Sequence, residues 1–266
     1  MPTDLSDLQL AAELVREAGL LARRMLAEGL ETRHKTSISD VVSAADHAAE
    51  RLVVGRLRDE RPADGLIGEE GTDEPASSGR TWYIDPVDGT YNFLSGLPYW
   101  CAAVALADAE GPVLGAVYHP VTDELWLGGR DQPTTCNGVP VPSLTEAPLS
   151  QLSVASYLHP ATLPDPGSRL PLLAVIGRAA TVRMLGSGSI ELASVAGGRL
   201  GAWVQHDSMA WDWLPGAALV SAAGGSTAVI EQGGHRWHVA GNRTAVADAV
   251  DTIRAARADS SSDDLA

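Results

Sequence analysis

The sequence predicts a layered mixed α/β fold. Helical and strand-like apolar patterns alternate along the chain, and hairpin signals such as Asn137-Gly138 stand among them. The 266 residues are 45% hydrophobic, which is enough for a substantial core. We expect a single domain over residues 1–256, made of two closely fused halves at 1–145 and 146–256, followed by a disordered Ser- and Asp-rich tail at 257–266.

Apolar residues at helical spacing, together with capping signals, predict the helices. In chain order they span 7–28, 43–60, 190–196, 211–223 and 243–256. Ser6 and Gln9 form a capping box before the first helix, and Gly29 ends it. Pro215 is expected in the first turn of its helix, where proline is tolerated. Residues 30–42 are polar and predict a loop.

Short apolar runs bounded by turn residues predict the strands. In chain order they span 65–68, 82–85, 102–106, 113–118, 125–127, 134–136, 139–141, 202–205, 226–230 and 236–240. Pro86 fixes φ and has no N–H, so we expect the second of these strands to stop there. Residues 158–170 are rich in Pro and Gly and predict a connection, and residues 172–176 fit a strand or a helix equally by period alone.

The charge balance limits the classes of partner. The net charge is −15 and the pI is about 4.7, which argues against nucleic acid or an anionic membrane as the main partner. A phosphate substrate is compatible with this charge if metal cations invert it locally.

Cysteine and histidine usage favours a reducing cytoplasm and no zinc site. Cys101 and Cys136 form no disulfide or zinc pattern. The seven histidines show no metal-ligand spacing, and we expect His235 and His238 to be solvated in a turn. We see no signal peptide at the N-terminus and no apolar run near the roughly 20 residues that span a bilayer.

Residues 82–93 carry the clearest chemical signal. An apolar strand runs into Asp85 and Asp88, with the carbonyl of Val87 between them. Carboxylate and carbonyl oxygens are the ligands that Mg²⁺ prefers. The stretch therefore indicates a Mg²⁺ site at the end of a strand.

Gly89 and Thr90 follow directly. Glycine allows a sharp turn and the close approach of a ligand, and a short helix opened by Thr90 would direct backbone amides at an anion. The alternative is that Asp85 and Asp88 are ordinary turn formers and Thr90 a helix cap.

Further charged residues stand at fitting places. Glu69 and Glu70 end the strand at 65–68, where one glutamate would complete a metal site, although such a pair is commonly a solvated loop. Asp46 falls in the first turn of the second helix, where the helix dipole alone favours an acid. Lys35 is either a phosphate-facing cation or an ordinary surface lysine.

Taken together, the chain resembles the inositol monophosphatase family of Mg²⁺-dependent, lithium-sensitive phosphatases. Four stretches in order carry the resemblance: Ser39-Asp40-Val41-Val42-Ser43-x-x-Asp46, Gly68-Glu69-Glu70, Asp85-Pro86-x-Asp88-Gly89-Thr90-x-Asn92-Phe93, and Trp211-Asp212 followed by Gly224-Gly225. The similarity extends over roughly residues 8 to 250. It implies an αβαβα sandwich of the inositol monophosphatase and sugar phosphatase type, a small phosphorylated metabolite as substrate, and a homodimer.

The resemblance also implies a role for each site residue. The implied metal ligands, for roughly two or three Mg²⁺ ions per site, are Glu69, Asp85, the carbonyl of Val87, Asp88 and Asp212. The implied catalytic residues are Asp46 and Thr90, which orient and deprotonate the attacking water, and Glu70 near the metals. The implied substrate contacts are Gly89, Thr90, Gly186, Ser187, Gln205, Asp212 and Lys35.

Two departures from the family pattern bear on the substrate. Gln205 stands where inositol-cleaving members carry a Glu that binds the ring hydroxyls, and Gln lacks that charge. Trp213-Leu214-Pro215 replaces small residues. The first expectation is myo-inositol 1-phosphate; histidinol phosphate, fructose 1,6-bisphosphate and phosphoadenosine phosphate stay open. A catalytically silent regulatory protein is disfavoured because the set of acids is complete.

Overall fold

A computed structural model describes residues 6–29, 32–34 and 41–256 of the chain. The predicted site residue Lys35, the motif residues Ser39 and Asp40 and the predicted tail at 257–266 lie outside the described residues. Within the described ranges, no helix has the length and apolar character needed to cross a membrane.

The described residues form helices and strands in close alternation. Helices α1–α7 span Asp7–Glu28, Ala44–Glu60, Thr90–Leu94, Pro166–Arg178, Gly188–Ala196, Ala210–Ala222 and Arg243–Ala255. Strands β1–β10 span Thr32–His34, Val41–Ser43, Gly65–Gly68, Asp73–Glu74, Thr81–Asp88, Cys101–Asp108, Gly111–His119, Glu124–Gly129, Gln132–Cys136 and Val139–Pro140. Strands β11–β15 span Ser153–Ala155, Thr181–Arg183, Ala202–His206, Ser226–Gln232 and His235–Gly241. The structure confirms the predicted helices and strands, with ends shifted by a few residues.

Two larger sheets alternate with three layers of helices. The first sheet has the strand order β10-β9-β8-β7-β6-β5-β3-β4, and the second has the order β12-β11-β13-β15-β14. Helices α1 and α2 pack on the outer face of the first sheet, α5 and α6 lie between the sheets, and α4 and α7 cover the far face of the second. This is the αβαβα sandwich that the resemblance implies.

Each interface between layers has its own apolar core. Trp82 lies in the core between α1, α2 and the first sheet, and it is fully buried. Trp203 and Trp213 stack with ring centroids 5.7 Å apart in the core around α5 and α6. Trp237 lies in the core between the second sheet, α4 and α7. Because a buried large apolar side chain stabilises a fold by about 1.5–3 kcal/mol, these cores hold the layers in fixed positions around the loops at the strand ends.

The prediction of a loop over 30–42 is wrong for the residues that the structure describes there. Thr32–His34 and Val41–Ser43 pair as antiparallel strands, with Arg33 opposite Val42. Strands of three residues are too short to show the alternation of apolar and polar residues by which a strand is recognised.

The prediction that the strand stops at Pro86 is also wrong, because β5 continues to Asp88. On β6, Ala103 pairs with Asp85 and Cys101 pairs with Asp88, so two residues of β5 stand opposite one residue of β6. This is a β-bulge, where one residue is unpaired, so that proline can be accommodated without the loss of a hydrogen bond between the strands.

Two other prolines bound or interrupt helices differently from the prediction. The predicted connection at 158–170 ends early, because Pro166 occupies the first turn of α4, and the ambiguous residues 172–176 are helical. Pro215 lies in the second turn of α6 rather than the first. Its carbonyl group packs so closely on β7 that a Cβ on Gly115 would come within 2.1 Å of the carbonyl oxygen.

A buried carboxylate holds the start of β5. Asp64 accepts hydrogen bonds from Trp82 Nε1 at 2.9 Å, from Arg80 Nη2 at 2.6 Å and from Ser78 Oγ at 2.7 Å. Burial raises the pKa of Asp64, but the bonds from Arg80, Ser78 and Trp82 outweigh it, and the pKa is lowered. Asp64 therefore accepts the hydrogen bond of the buried Trp82 indole N–H in the core between α1, α2 and the first sheet.

We expect Asp64→Ala to lower the free energy of unfolding by about 2–4 kcal/mol at pH 7, because Trp82 Nε1 loses its acceptor and Arg80 one of its partners. Urea denaturation measures the change, and the exposed Asp59→Ala on α2 is the matched control. A depressed pKa stabilises the fold above the unfolded-state pKa, and this contribution is lost as pH falls through the folded-state pKa. The difference in free energy of unfolding between Asp64→Ala and Asp59→Ala should therefore become smaller at acidic pH. An equal loss of stability in both variants at pH 7 would contradict the role of Asp64.

Candidate active site

The two central aspartates lie at the carboxyl end of β5. Asp85 is 1% and Asp88 is 7% exposed. Residues three apart in a regular strand point to opposite faces, but the extra residue of the bulge brings the two carboxylates to the same side. The amide of Val87 donates to Asp85 Oδ1 at 3.1 Å.

Three further acids surround this pair. Burial raises the pKa of Asp85 well above its usual value, and the charges of Glu69, Asp88, Asp212 and Asp46 raise it further. Burial, followed by the charge of Asp88, raises the pKa of Asp212 to about 7, against a hydrogen bond with Asp85. The structure therefore brings the four predicted metal-binding acids and Asp46 into one cluster.

Each of the surrounding acids is placed by an element of the fold. Glu69 follows β3, which runs parallel to β5, and its amide donates to the Ile84 carbonyl at 3.1 Å. Asp46 and Asp212 lie in the first turns of α2 and α6. Because the N-terminus of a helix carries partial positive charge, both helices offset part of the repulsion between the acids.

The predicted water-activating pair is in contact. Thr90 Oγ1 lies 3.1 Å from Asp46 Oδ1 and 3.0 Å from the Val87 carbonyl oxygen. The hydroxyl has one proton, so it donates to one of these acceptors at a time and keeps lone pairs to accept from water. Asp46 is fully buried.

The start of α5 is folded onto Asp88. The Ser189 amide donates to Asp88 Oδ2 at 2.5 Å, and Ser187 and the Gly188 amide also donate to this carboxylate. Burial raises the pKa of Asp88, and these bonds oppose the shift. Cys101 Sγ lies 4.0 Å from the same oxygen, and burial raises the pKa of the thiol well above its usual value.

The predicted substrate contacts Gly186 and Ser187 lie against Gly89. Gly89 has a φ of 94°, and a Cβ there would come within 3.0 Å of the Gly186 carbonyl oxygen and 3.3 Å of Ser187 Cβ. Only glycine fits this backbone conformation and this close approach. The loop after β12 is thereby held beside the end of β5.

Asn92 and Glu191 are structural residues of the site that sequence reasoning missed. Asn92 Nδ2 donates to the carbonyls of Tyr99 at 2.8 Å and Leu185 at 2.7 Å. Glu191 accepts from the Leu185 amide at 2.8 Å and from Trp203 Nε1 at 3.0 Å, and burial raises its pKa to about 8. The sequence did carry a signal for each residue. Asn92 lies in the motif at 82–93, and Glu191 is the one acid in a helix whose other side chains are small or apolar.

The side chain of Glu70 lies against α2. Its Oε2 lies 3.3 Å from His47 Nδ1, and its amide donates to Glu50 Oε2 at 2.8 Å. Glu50, another residue that sequence reasoning missed, also accepts from the hydroxyl of Thr72 at 2.7 Å and is 4% exposed. Glu50 therefore holds the turn that presents Glu69 and Glu70.

Gln205 lies near the end of β13, opposite His238 on β15. The ring of His238 packs on Trp213, the residue after Asp212, with centroids 5.0 Å apart. His238 thus connects the strand of Gln205 with the helix that carries Asp212.

The expectation that His235 and His238 are solvated is wrong. His238 is 5% exposed, and the side chain of His235 is 18% exposed. His235 joins His206 and Asp207 in a group whose ligand atoms all lie within 4.8 Å of one another. No local spacing reveals this group, because β-sheet pairing brings its members together from separate strands.

The sandwich and its acidic cluster define a class of metal-dependent phosphoric monoester hydrolases. The chain belongs to the inositol monophosphatase family, whose model matches residues 4–261.

Known proteins agree with this assignment. The chain is 36% identical over 199 residues to an inositol-1-monophosphatase of Rhizobium meliloti, covering 74% of each chain. It is 30% identical over 226 residues to human inositol monophosphatase 2, covering 82% of this chain and 78% of the relative. The crystal structure of the extragenic suppressor protein suhB from Bartonella henselae has a TM-score of 0.82 at 26% identity, covering 94% of this chain and 98% of that one.

Proposed function

We propose that the chain is a Mg²⁺-dependent phosphatase of a small phosphomonoester, with myo-inositol 1-phosphate as the first candidate. The observation that carries the proposal is the cluster of Glu69, Asp85, Asp88 and Asp212, with Asp85 and Asp88 buried, beside the Thr90–Asp46 pair.

The donor set fits Mg²⁺. Carboxylate oxygens and the Val87 carbonyl are hard ligands, and no nitrogen or sulfur donor is among the proposed ligands, which favours Mg²⁺ over zinc or copper. The acids also raise one another's pKa values, and divalent cations would cancel this repulsion. The proposed ligands, for roughly two or three ions, are Glu69, Asp85, the carbonyl of Val87, Asp88 and Asp212. When bound, the ions lower the pKa of water and neutralise charge on phosphate oxygens.

The residues of the chain itself supply proton transfer and orientation. Asp46 accepts the proton of the Thr90 hydroxyl, and Thr90 Oγ1 accepts a proton from the attacking water. The water oxygen then forms a bond to phosphorus as the bond from phosphorus to the ester oxygen breaks, and the ester oxygen leaves with the bonding electrons and takes a proton from a second water. We assign the amides of Gly89 and Thr90 to the phosphate oxygens and Gln205 to the leaving group. No covalent enzyme intermediate is required.

A second candidate substrate is favoured by Gln205. Because the neutral amide replaces the glutamate of inositol-cleaving members, histidinol phosphate or another sugar or nucleotide phosphate fits the same chemistry. The homodimer, the lithium sensitivity, the cytoplasmic location and the single-domain organisation implied by the sequence remain predictions.

Phosphate release from a panel of substrates tests the proposal. The panel is inositol 1-phosphate, histidinol phosphate, fructose 1,6-bisphosphate and phosphoadenosine phosphate, each with Mg²⁺ and with chelator. We expect strong turnover of one substrate and none with chelator. Activity that survives the chelator would contradict the metal requirement, and Mg²⁺ binding without turnover of any panel member would favour a regulatory protein.

We expect Gln205→Ala to change substrate preference by about 10-fold in kcat/KM, because one or two hydrogen bonds to leaving-group hydroxyls are lost. Hydrolysis of p-nitrophenyl phosphate, which has no such hydroxyls, should stay within about 3-fold of wild type. Gln205→Glu is the matched variant and should shift preference toward inositol 1-phosphate. An equal loss on every substrate would contradict the role of Gln205.

A further inference from the structure

A second group of metal-ligating side chains lies at the other end of the segment that leads to Asp212. His206 ends β13, Asp207 follows it, and His235 begins β15. His206 Nδ1 lies 3.1 Å and His235 Nδ1 lies 2.5 Å from the same atom, Asp207 Oδ2. All three ligand atoms fall within 4.8 Å of one another.

The carboxylate of Asp207 is held in place by the neighbouring strand. Its Oδ1 accepts the Arg236 amide at 2.9 Å, and its own amide donates to the Arg236 carbonyl at 2.7 Å. These bonds leave Oδ2 for the two imidazoles. The carboxylate half of the group is therefore positioned by backbone contacts that need no metal.

Both imidazole rings are also oriented by their surroundings. The side chain of His206 is 9% exposed, and its ring packs on Trp237 with centroids 5.3 Å apart and on His235 with centroids 4.8 Å apart. His235 Nε2 contacts Oδ2 of Asp165, the N-cap residue of α4. A histidine that binds a metal through one ring nitrogen commonly donates its other N–H to a carboxylate, which fixes the tautomer and orients the ring.

We propose that His206, Asp207 and His235 bind one borderline divalent cation of the Zn²⁺ type through two imidazole nitrogens and one carboxylate oxygen. This ligand set suits Zn²⁺, Co²⁺ or Ni²⁺, whereas the all-oxygen cluster around Asp85 suits Mg²⁺. In a tetrahedral Zn²⁺ site the donor atoms lie roughly 3.3 Å apart, so side-chain rotations adjust the observed spacing. Asp207 is half exposed, which leaves the fourth position to water.

The site would cross-link three parts of the second half of the chain. Asp207 starts the loop between Gln205 and Asp212, His235 belongs to the β14–β15 hairpin, and Asp165 caps α4. Metal binding would therefore stiffen the loop that places Asp212. The inference does not rest on the proposed phosphatase function.

The test first weakens metal binding at the carboxylate cluster around Asp85. In the double variant Asp88→Asn/Asp212→Asn, we expect isothermal titration with Zn²⁺ to show about one ion per chain. Co²⁺ in the same protein should show the visible absorption of nitrogen ligation. If Zn²⁺ does not bind this variant, hydrogen bonds alone hold the three side chains together and the proposal fails.

Histidine variants then locate the ion. In the same background, His206→Gln and His235→Gln should each weaken Zn²⁺ binding by at least about 100-fold, and Asp165→Asn by about 10- to 100-fold. His159→Gln is the matched control and should bind as the parent does. Circular dichroism confirms that each variant is folded. Unchanged Zn²⁺ affinity in both His206→Gln and His235→Gln would overturn the assignment.

Discussion

Asp212→Asn is expected to lower kcat for phosphate release at least about 100-fold, as the loss of a single electrostatic catalytic group commonly does. The change removes one negative charge from a partly buried cluster and keeps the size of the side chain. Asp212 is hydrogen-bonded with Asp85 and feels the charge of Asp88, so its loss acts directly on the proposed metal ligands.

The same substitution should not destabilise the metal-free protein. Burial and the charge of Asp88 oppose ionisation of Asp212, which means that the folded state carries unfavourable repulsion when no cation is bound. A neutral amide removes this repulsion, so the Tm without metal should equal or exceed that of wild type. Lower activity with equal or higher stability is the pattern expected of a site that trades stability for function.

Thermal denaturation with and without Mg²⁺ measures both effects. We expect wild type to gain Tm with Mg²⁺ because the ligand binds the folded state, and Asp212→Asn to lose most of this gain. The exposed Asp251→Asn on α7 is the matched control and should keep both activity and the gain. Full activity in Asp212→Asn would remove Asp212 from the site, and a lower Tm in the absence of metal would show that its charge stabilises the fold.

Sequence predicts best what is encoded locally. Ser6 and Gln9 form the predicted capping box at α1, with the Gln9 amide 3.3 Å from Ser6 Oγ. Asn137-Gly138, both at positive φ, form the predicted hairpin turn between β9 and β10. The family resemblance, and not local pattern alone, named the acids that cluster around Asp85, and their metal-binding role stays a prediction.

Sequence fails where a contact depends on register or on distant pairing. Pro86 predicts the end of a strand. The register of β6 against β5 instead places it in a bulge within the strand. His235 reads as a turn residue, and its approach to His206 results from pairing of β13 with β15. Glu191 gains its role from the Leu185 amide and Trp203, which α5 and β13 bring together.

The loops that build the site come from both halves of the sandwich. Asp85 belongs to the first sheet and Glu69 directly follows its strand β3, whereas Asp212 and the start of α5 belong to the helical layer between the sheets. The amides at the start of α5 bind Asp88 directly, so the second half completes the environment of the first. A substitution that loosens the packing between α5 and α6 should therefore alter the positions of the acids even though the substituted residue does not contact them.

Asp46→Asn and Thr90→Ala are each expected to lower kcat about 10²- to 10⁴-fold, the usual contribution of general acid–base catalysis. The reason is that Thr90 Oγ1 lies 3.1 Å from Asp46 Oδ1, so the hydroxyl passes a proton to the carboxylate. Because the two residues act as one unit, the double variant should be little worse than either single variant. Thr90→Ser keeps the hydroxyl and should retain most of the activity.

A measurement of Mg²⁺ binding distinguishes the role of Asp46 and Thr90 from that of the metal ligands. Asp46 and Thr90 are assigned to proton transfer and not to the cations, so Asp46→Asn and Thr90→Ala should keep most of the Mg²⁺-dependent gain in Tm that Asp212→Asn loses. If the losses in kcat of the two single variants multiply in the double variant, the two residues act independently. Loss of the Mg²⁺-dependent gain in Asp46→Asn would move Asp46 from the water to the metals, since a residue that only accepts a proton has no direct share in cation affinity.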